Sequence, residues 1–356
     1  MIDPATFDEI VSGRRRGPAA TALRAALRVA EVPYTMAMRL RNRRYDAGRA
    51  EMHQVSVPVV SIGNLTLGGT GKTPMVAWIA RWLRNHDVRV TLVSRGYGAQ
   101  EGSRNDEALE LEQMLPDVPH LQNRDRVAAA RLAIEEFACQ MILLDDGFQH
   151  RRLARDLDIV LLDATQPFGY GHVFPRGTLR EPFDSLARAG VVALSRADMI
   201  DQAARQEIRR RVERYTPQAA WVEVRHRPRV LRSARGDEMA IESLGGKRVA
   251  AFCGIGNPRG FRHTLESCGY QIADFRSFAD HHAYSRGDVE ELAQWTNSLG
   301  VEAAVCTHKD LVKIGIETLG QTPLWALAVG LEFLSGQSEL EARLRAVLPP
   351  PEAPDE

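Results

Sequence analysis

The chain has 356 residues, 44% of them hydrophobic, with 46 basic and 46 acidic side chains. That length can bury a sizeable core and predicts two domains, and the balanced charge argues against the broad positive field of a nucleic-acid-binding protein. No apolar run reaches 18 residues, so no membrane span is predicted; the four cysteines, Cys139, Cys253, Cys268 and Cys306, form no Cys-x-x-Cys pair, which suits buried thiols in a reducing cytoplasm and not structural zinc.

Residues 1–50 read as a basic, amphipathic helical segment. Asp3, Asp8 and Glu9 precede any apolar run, unlike a secretory leader. Between Arg14 and Arg44 lie nine arginines and a single acid, Glu31. Leu23, Ala26, Leu27, Ala30 and Tyr34 recur at helical spacing, Arg24 and Arg28 fall on another face, and Pro33 is expected to divide or kink the helix. Two readings stay open: a helix lying on an anionic bilayer, or an ordinary surface helix with solvated arginines.

Val57 to Ile62 reads as a strand and Pro74 to Leu83 as a helix. Between them runs Thr66-Leu67-Gly68-Gly69-Thr70-Gly71-Lys72-Thr73. This order builds a phosphate cradle: glycines turn successive N–H groups inward, and the new helix aims its positive end at the same point. Lys72 would reach the β/γ-phosphates and Thr73 would hold Mg²⁺. Thr66 stands where the usual pattern has glycine, and Gly63, Gly68, Gly69 and Gly71 supply the flexibility.

The remaining elements alternate. Val88–Val93 is read as a strand ending at Ser94-Arg95-Gly96-Tyr97-Gly98, Arg126–Phe137 as a helix, and Met141–Leu144 as a strand closed by Asp145 and Asp146. Further strands are expected at Asp158–Leu162 and Val191–Leu194, the latter ending at Ser195-Arg196-Ala197-Asp198, with a helix over Gln202–Tyr215. Such alternation predicts an α/β fold with a mostly parallel sheet and its ligand at the strands' carboxyl ends. Residues 51–220 would form this domain, residues 221–245 a linker of short extended segments, and residues 246–335 a second, smaller α/β domain. Residues 336–356 would be a terminal helix and a disordered tail.

Several side chains are candidates for chemistry. Asp145 and Asp146 can hold Mg²⁺ opposite the phosphate loop. Asp106 and Glu107 precede an apolar-periodic segment, so Asp106 reads equally as a helix cap or as a base accepting a hydroxyl proton. Asp280-His281-His282 offers an orienting or proton-relaying histidine, but no cysteine or histidine set for zinc. Thr307-His308-Lys309-Asp310 and Ser195–Asp198 are candidate base-gripping turns, and Pro175–Pro182 reads as a polar loop with two arginines.

Together these segments resemble one family, the tetraacyldisaccharide 4'-kinases, which phosphorylate the lipid A precursor. The resemblance rests on Gly63–Pro74, Ser94–Gly98, Asp106-Glu107, Leu144-Asp-Asp-Gly-Phe-Gln-His150, Arg155-Asp156, Pro175–Pro182, Phe252–Pro258, Asp280–His282 and Thr307–Asp310, in family order over residues 57–313. It implies a P-loop NTPase-type fold in which ATP phosphorylates the 4'-hydroxyl of a tetraacylated glucosamine disaccharide 1-phosphate. The work would be done peripherally, by a monomer, at the cytoplasmic face of the inner membrane. By the same resemblance, residues Thr66 to Thr73 bind phosphates, Lys72 also acts in catalysis, and Thr73 with Asp145 or Asp146 holds Mg²⁺. Asp106 becomes the base, oriented by His281 or His282. Asn105 stands where the family usually has glycine, and His308 where it tends to carry an acid. The alternative is a P-loop GTPase or metallochaperone-like nucleotide-binding protein, although neither a clean Asn-Lys-x-Asp nor switch threonines are present.

Overall fold

The computed structural model describes residues 4–96, 106–280 and 282–350, without the side chains of residues 4, 5, 106 and 107. In chain order, α1 (Pro4–Val11) and α2 (Pro18–Asp46) lead into β1 (Val59–Asn64), α3 (Lys72–Arg84), β2 (Val90–Ser94), α4 (Asp106–Met114), β3 (His120–Gln122) and α5 (Arg126–Phe137). Then come β4 (Met141–Asp145), β5 (Leu157–Asp163), β6 (Val191–Ser195), α6 (Gln202–Glu213), β7 (Ala220–Arg232), β8 (Glu238–Met239) and β9 (Arg248–Cys253). The chain closes with α7 (Pro258–Ser267), β10 (Gln271–Ser277), α8 (Arg286–Leu299), β11 (Ala303–Thr307), α9 (His308–Ile314), β12 (Thr318–Leu319), β13 (Thr322–Ser335) and α10 (Gln337–Arg345).

Two compact units result. The first comprises Met1–Gly96, Asp117–Arg225 and Phe333–Glu356; the second comprises Tyr97–Pro116 and His226–Glu332. Helix α4 therefore groups with the second unit, although it lies in sequence between strands of the first. Cys139, Cys253 and Cys306 are buried and Cys268 half-buried, all as free thiols.

In the first unit the strands run in the order β7-β6-β5-β1-β4-β2-β3, and every pairing is parallel. Every residue of β1, β2, β4, β5 and β6 is buried, as a sheet covered on both faces requires. Growth of the sheet reverses at β1, with β4 on one side and β5 on the other. Such a switch point opens a crevice at the carboxyl ends of the strands, and the glycine-rich loop leaves β1 at that edge.

The second unit has its own parallel ladder, β10-β9-β11-β13, with β12 antiparallel to β13. One apolar cluster centres on Val249, Ala251, Phe261, Leu265 and Val305, and another on Phe252, Leu292, Trp295 and Leu324.

Three expectations change. Pro33 does not divide the first long helix, because α2 runs unbroken for 29 residues. Pro33 lies on an exposed face, where water can satisfy the carbonyl that loses its helical donor. The short extended segments expected after residue 220 form one continuous 13-residue strand, β7, followed by the two-residue β8. The Thr307–Asp310 turn is the start of a helix, α9, capped by the Thr307 side chain.

Candidate active site

The glycine-rich loop leaves β1 and enters α3 at Lys72. Gly68 and Gly71 have φ of 98° and 81°, conformations that a side chain would strain. At the loop's base, a Cβ on Gly63 would meet the Phe148 Cβ at 2.6 Å and its backbone nitrogen at 2.8 Å. Glycine there lets β1 and the segment after β4 touch.

Asp145 is the last residue of β4, 6% exposed and in register with Ile62 of β1. Asp146 follows in the left-handed conformation, at φ 51°. That turn directs its carboxylate to Lys72, whose Nζ lies 3.5 Å from Oδ1. Arg180 grips the same carboxylate with two parallel hydrogen bonds, Nη1 to Oδ1 at 2.6 Å and Nη2 to Oδ2 at 3.0 Å. Burial works against ionisation of Asp146, yet Lys72 and Arg180, helped by Arg126, hold its carboxyl well below the usual carboxylate range. Arg180 Nη1 also donates to Asn64 Oδ1 at 2.9 Å, so one guanidinium ties the end of β4 to the end of β1.

Arg126 is 5% exposed and donates to the Asp146 carbonyl at 3.4 Å, with His150 Nδ1 3.2 Å away. Burial, with Arg126, Arg152 and Arg155 around it, pushes the His150 pKa down to about 4. The ring is therefore neutral at pH 7.

The loop around Arg180 is not a free surface turn. Thr66 bridges antiparallel to Leu179, Leu67 N donates to Thr178 O at 2.7 Å, and Arg180 N donates to Leu65 O at 2.7 Å. Helix α2 packs on the same region: Tyr34 Oη donates to Arg180 O at 3.2 Å, and Asn42 Nδ2 donates to the fully buried Glu181 at 2.7 Å.

The first unit thus brings Lys72 at the start of α3 to Asp146, with Asp145 before it at the end of β4. Thr73, second in α3, offers a hydroxyl from the same turn as Lys72. Among the described residues no group of three or more histidine, cysteine or acidic side chains could form a metal cage. A hydroxyl with one or two carboxylates is instead the all-oxygen donor set that suits Mg²⁺ shared with phosphates.

Candidates in the second unit fare differently. Asp106 begins α4, and its side chain lies outside the described residues, as do His281 and the Tyr97-Gly98 pair. His282 Nε2 lies 3.3 Å from Asp288 Oδ2, and its ring stacks on Phe278 at 4.8 Å. Asp310, fully buried, accepts from Thr307 Oγ1 at 2.6 Å, Tyr284 Oη at 3.0 Å and Gly254 N at 3.1 Å. Those bonds spend its oxygens on the fold and not on a nucleotide base.

Sequence reasoning assigned no role to Arg180, Arg126 or Asn64. A signal existed for Arg126: a cation in the first turn of a helix opposes the helix dipole and needs another reason to be there.

A glycine-rich loop between a strand and a helix, opposite tandem aspartates, fits many phosphotransferases; comparison decides among them. The family model for tetraacyldisaccharide-1-P 4'-kinase matches residues 23–349.

The chain belongs to that family.

A tetraacyldisaccharide 4'-kinase of Anaeromyxobacter sp. (strain K) is 40% identical over 366 residues, covering 96% of this chain and 97% of its own. One from Desulfatibacillum aliphaticivorans is 36% identical, covering 88% and 90%. Among solved structures, LpxK from Aquifex aeolicus in complex with ATP matches with a TM-score of 0.73 at 28% identity, over 92% of this chain and 99% of that one. The chain is accordingly an ATP-dependent kinase of lipid A biosynthesis, a phosphotransferase acting on the 4'-hydroxyl of the tetraacyldisaccharide 1-phosphate precursor. The GTPase and metallochaperone alternative falls away.

Proposed function

We propose that residues 66–73 bind the ATP phosphates, that Lys72 and Arg180 balance the charge around them, and that Asp106 accepts the proton of the acceptor hydroxyl. The 4'-oxygen attacks the γ-phosphorus. The bond to the β–γ bridging oxygen breaks, its electron pair leaves on ADP, and the hydroxyl proton passes to Asp106. His281 or His282 orients Asp106. Mg²⁺ held by Thr73 with Asp145 or Asp146 would neutralise charge on the phosphate oxygens. The chain's own part is positioning and electrostatics. The observation that carries this reading is the meeting of Lys72, Asp146 and Arg180 at the carboxyl edge of β1 and β4. The functional division is part of it: a phosphate-binding domain, a β linker after residue 220 and a second, smaller α/β domain.

The same reading places the enzyme peripherally on the cytoplasmic face of the inner membrane. No helix among the described residues is long and apolar enough to cross a bilayer. Helix α2 instead exposes Val29, Val32, Met36 and Leu40, at 73%, 55%, 65% and 64%. At 100° per residue these four lie on one stripe, bordered by Arg28, Arg39, Arg43 and Arg44. An apolar stripe edged by arginines suits an anionic lipid surface. The same reading takes the chain to act as a monomer.

The test is incubation with γ-labelled ATP and the lipid disaccharide 1-phosphate, followed by lipid extraction. Label should enter the lipid, and Lys72→Ala and Asp106→Ala should each lower turnover by about 100-fold or more. Near-normal turnover of either variant at saturating ATP would overturn that residue's role.

A further inference from the structure

The end of β6 carries Ser195 and Arg196, a pair the transfer step itself does not use. Both side chains are buried, Ser195 at 0% and Arg196 at 7% exposure, and both reach the outer side of the glycine-rich loop. Ser195 Oγ donates to Thr70 O at 2.7 Å. Arg196 Nη2 donates to Gly69 O at 3.0 Å. A third contact comes from β1, where Asn64 Nδ2 lies 3.4 Å from Gly68 O and 3.1 Å from Thr70 Oγ1. Three successive loop carbonyls are thus held by three side chains.

In a trans peptide the carbonyl and the next N–H point in opposite directions. The only cis bond among the described residues is Phe174-Pro175. Fixing the carbonyls of Gly68, Gly69 and Thr70 therefore fixes the N–H groups of Gly69, Thr70 and Gly71 on the far side of the loop from their clamps. A run of N–H groups turned to one side is what binds an anion. Glycines at 68, 69 and 71 make the loop backbone intrinsically mobile, so without the clamp those peptides would have to be ordered when the nucleotide binds.

The clamp is itself braced. Arg196 Nη1 pairs with Asp163 Oδ2, and Asp163 Oδ1 accepts from Thr165 N at 2.9 Å and Thr165 Oγ1 at 2.7 Å. Asp163 is in register with Ser195 across β5 and β6. Arg196 adopts φ 53°, a left-handed conformation unfavourable for a side chain of this kind, which turns it toward the loop.

We propose that Ser195 and Arg196, backed by Asp163 and joined by Asn64, are positioning residues that preset the loop amides for the triphosphate. The proposal rests on the reading that this loop binds the ATP phosphates. It predicts that the clamp governs ATP affinity and not acceptor affinity.

The full-length enzyme would be assayed as Ser195→Ala, Ser195→Thr and Arg196→Lys, with Lys72→Ala as reference. Arg196→Lys keeps a cation beside Asp163 but cannot reach both Asp163 and Gly69 O. Each lost hydrogen bond should raise both the KM and the Kd for ATP by about three- to tenfold. The KM for the lipid disaccharide should stay unchanged, and Ser195→Thr should restore ATP binding. If Ser195→Ala and Arg196→Lys keep wild-type ATP affinity while Lys72→Ala loses it, the clamp is wrong and the triphosphate reading stands. If Lys72→Ala also binds ATP normally, the triphosphate reading itself fails. A fall in kcat and melting temperature with an unchanged KM for ATP would mark Ser195 and Arg196 as merely structural and overturn the proposal.

Discussion

Arg180 holds the carboxylate of Asp146 in a two-pronged grip, 2.6 and 3.0 Å, while the same guanidinium bonds Asn64. A planar fork makes this geometry; an ammonium cannot. Arg180→Lys should therefore fail to rescue Arg180→Ala, both losing about 10- to 100-fold in kcat/KM, as expected for a hydrogen-bonded charge. Steady-state kinetics of the two variants, side by side, check this; a Lys variant within twofold of wild type would show that charge alone is required.

Two histidines bear on acid stability. Burial and neighbouring arginines bring both His150 and His308 down to a pKa of about 4. Each is neutral when folded at pH 5, whereas the unfolded chain, near pKa 6.5, takes up the proton. The unfolded state then binds more protons, so stability is full above about pH 6.5 and falls as pH drops toward 4, by up to about 1.4 kcal/mol per pH unit for each histidine. Denaturant titrations at pH 7, 6 and 5 should show this slope, and His308→Gln should reduce it.

Gly63→Ala should destabilise the first unit by about 1–3 kcal/mol, because the new methyl meets the Phe148 backbone, which cannot rotate away. The check is the midpoint of thermal or urea unfolding. An unchanged midpoint would mean that β1 and the Phe148 segment can separate without cost.

On α2, replacing Val29, Val32, Met36 and Leu40 together by serine removes the exposed apolar stripe without touching the inward contacts of Tyr34 and Asn42. Binding to phosphatidylglycerol-containing vesicles should weaken by about tenfold or more. Activity on detergent-dispersed substrate should persist. Vesicle sedimentation distinguishes the outcomes, and undiminished binding would place the membrane contact elsewhere.

Much of the fold is legible along the chain because its signals are local. Apolar runs of four to six residues closed by polar clusters mark β1, β2, β4, β5 and β6 within a residue or two. The glycines between residues 63 and 71 mark the loop. The signals weaken where structure depends on context: Pro33 reads as a break until its exposed placement is known, and β7 reads as fragments because its outer residues are charged. Helix α4 shows no local sign of grouping with the second unit, since that depends on which residues it meets and not on its own spacing.

The sequence by itself determined where a glycine-rich loop begins, which acids follow the neighbouring strand, and which family the motifs resemble, since each needs only residue type and short spacing. Tertiary structure alone decided that Asp146 belongs to Arg180, 34 residues away, and that Ser195 holds the carbonyl of Thr70, 125 residues away. Pairings over such distances are set by strand order, which a linear pattern does not encode. The outward stripe of α2 was decided in the same way: both its faces carry apolar side chains, and only packing shows which one is left to meet something else.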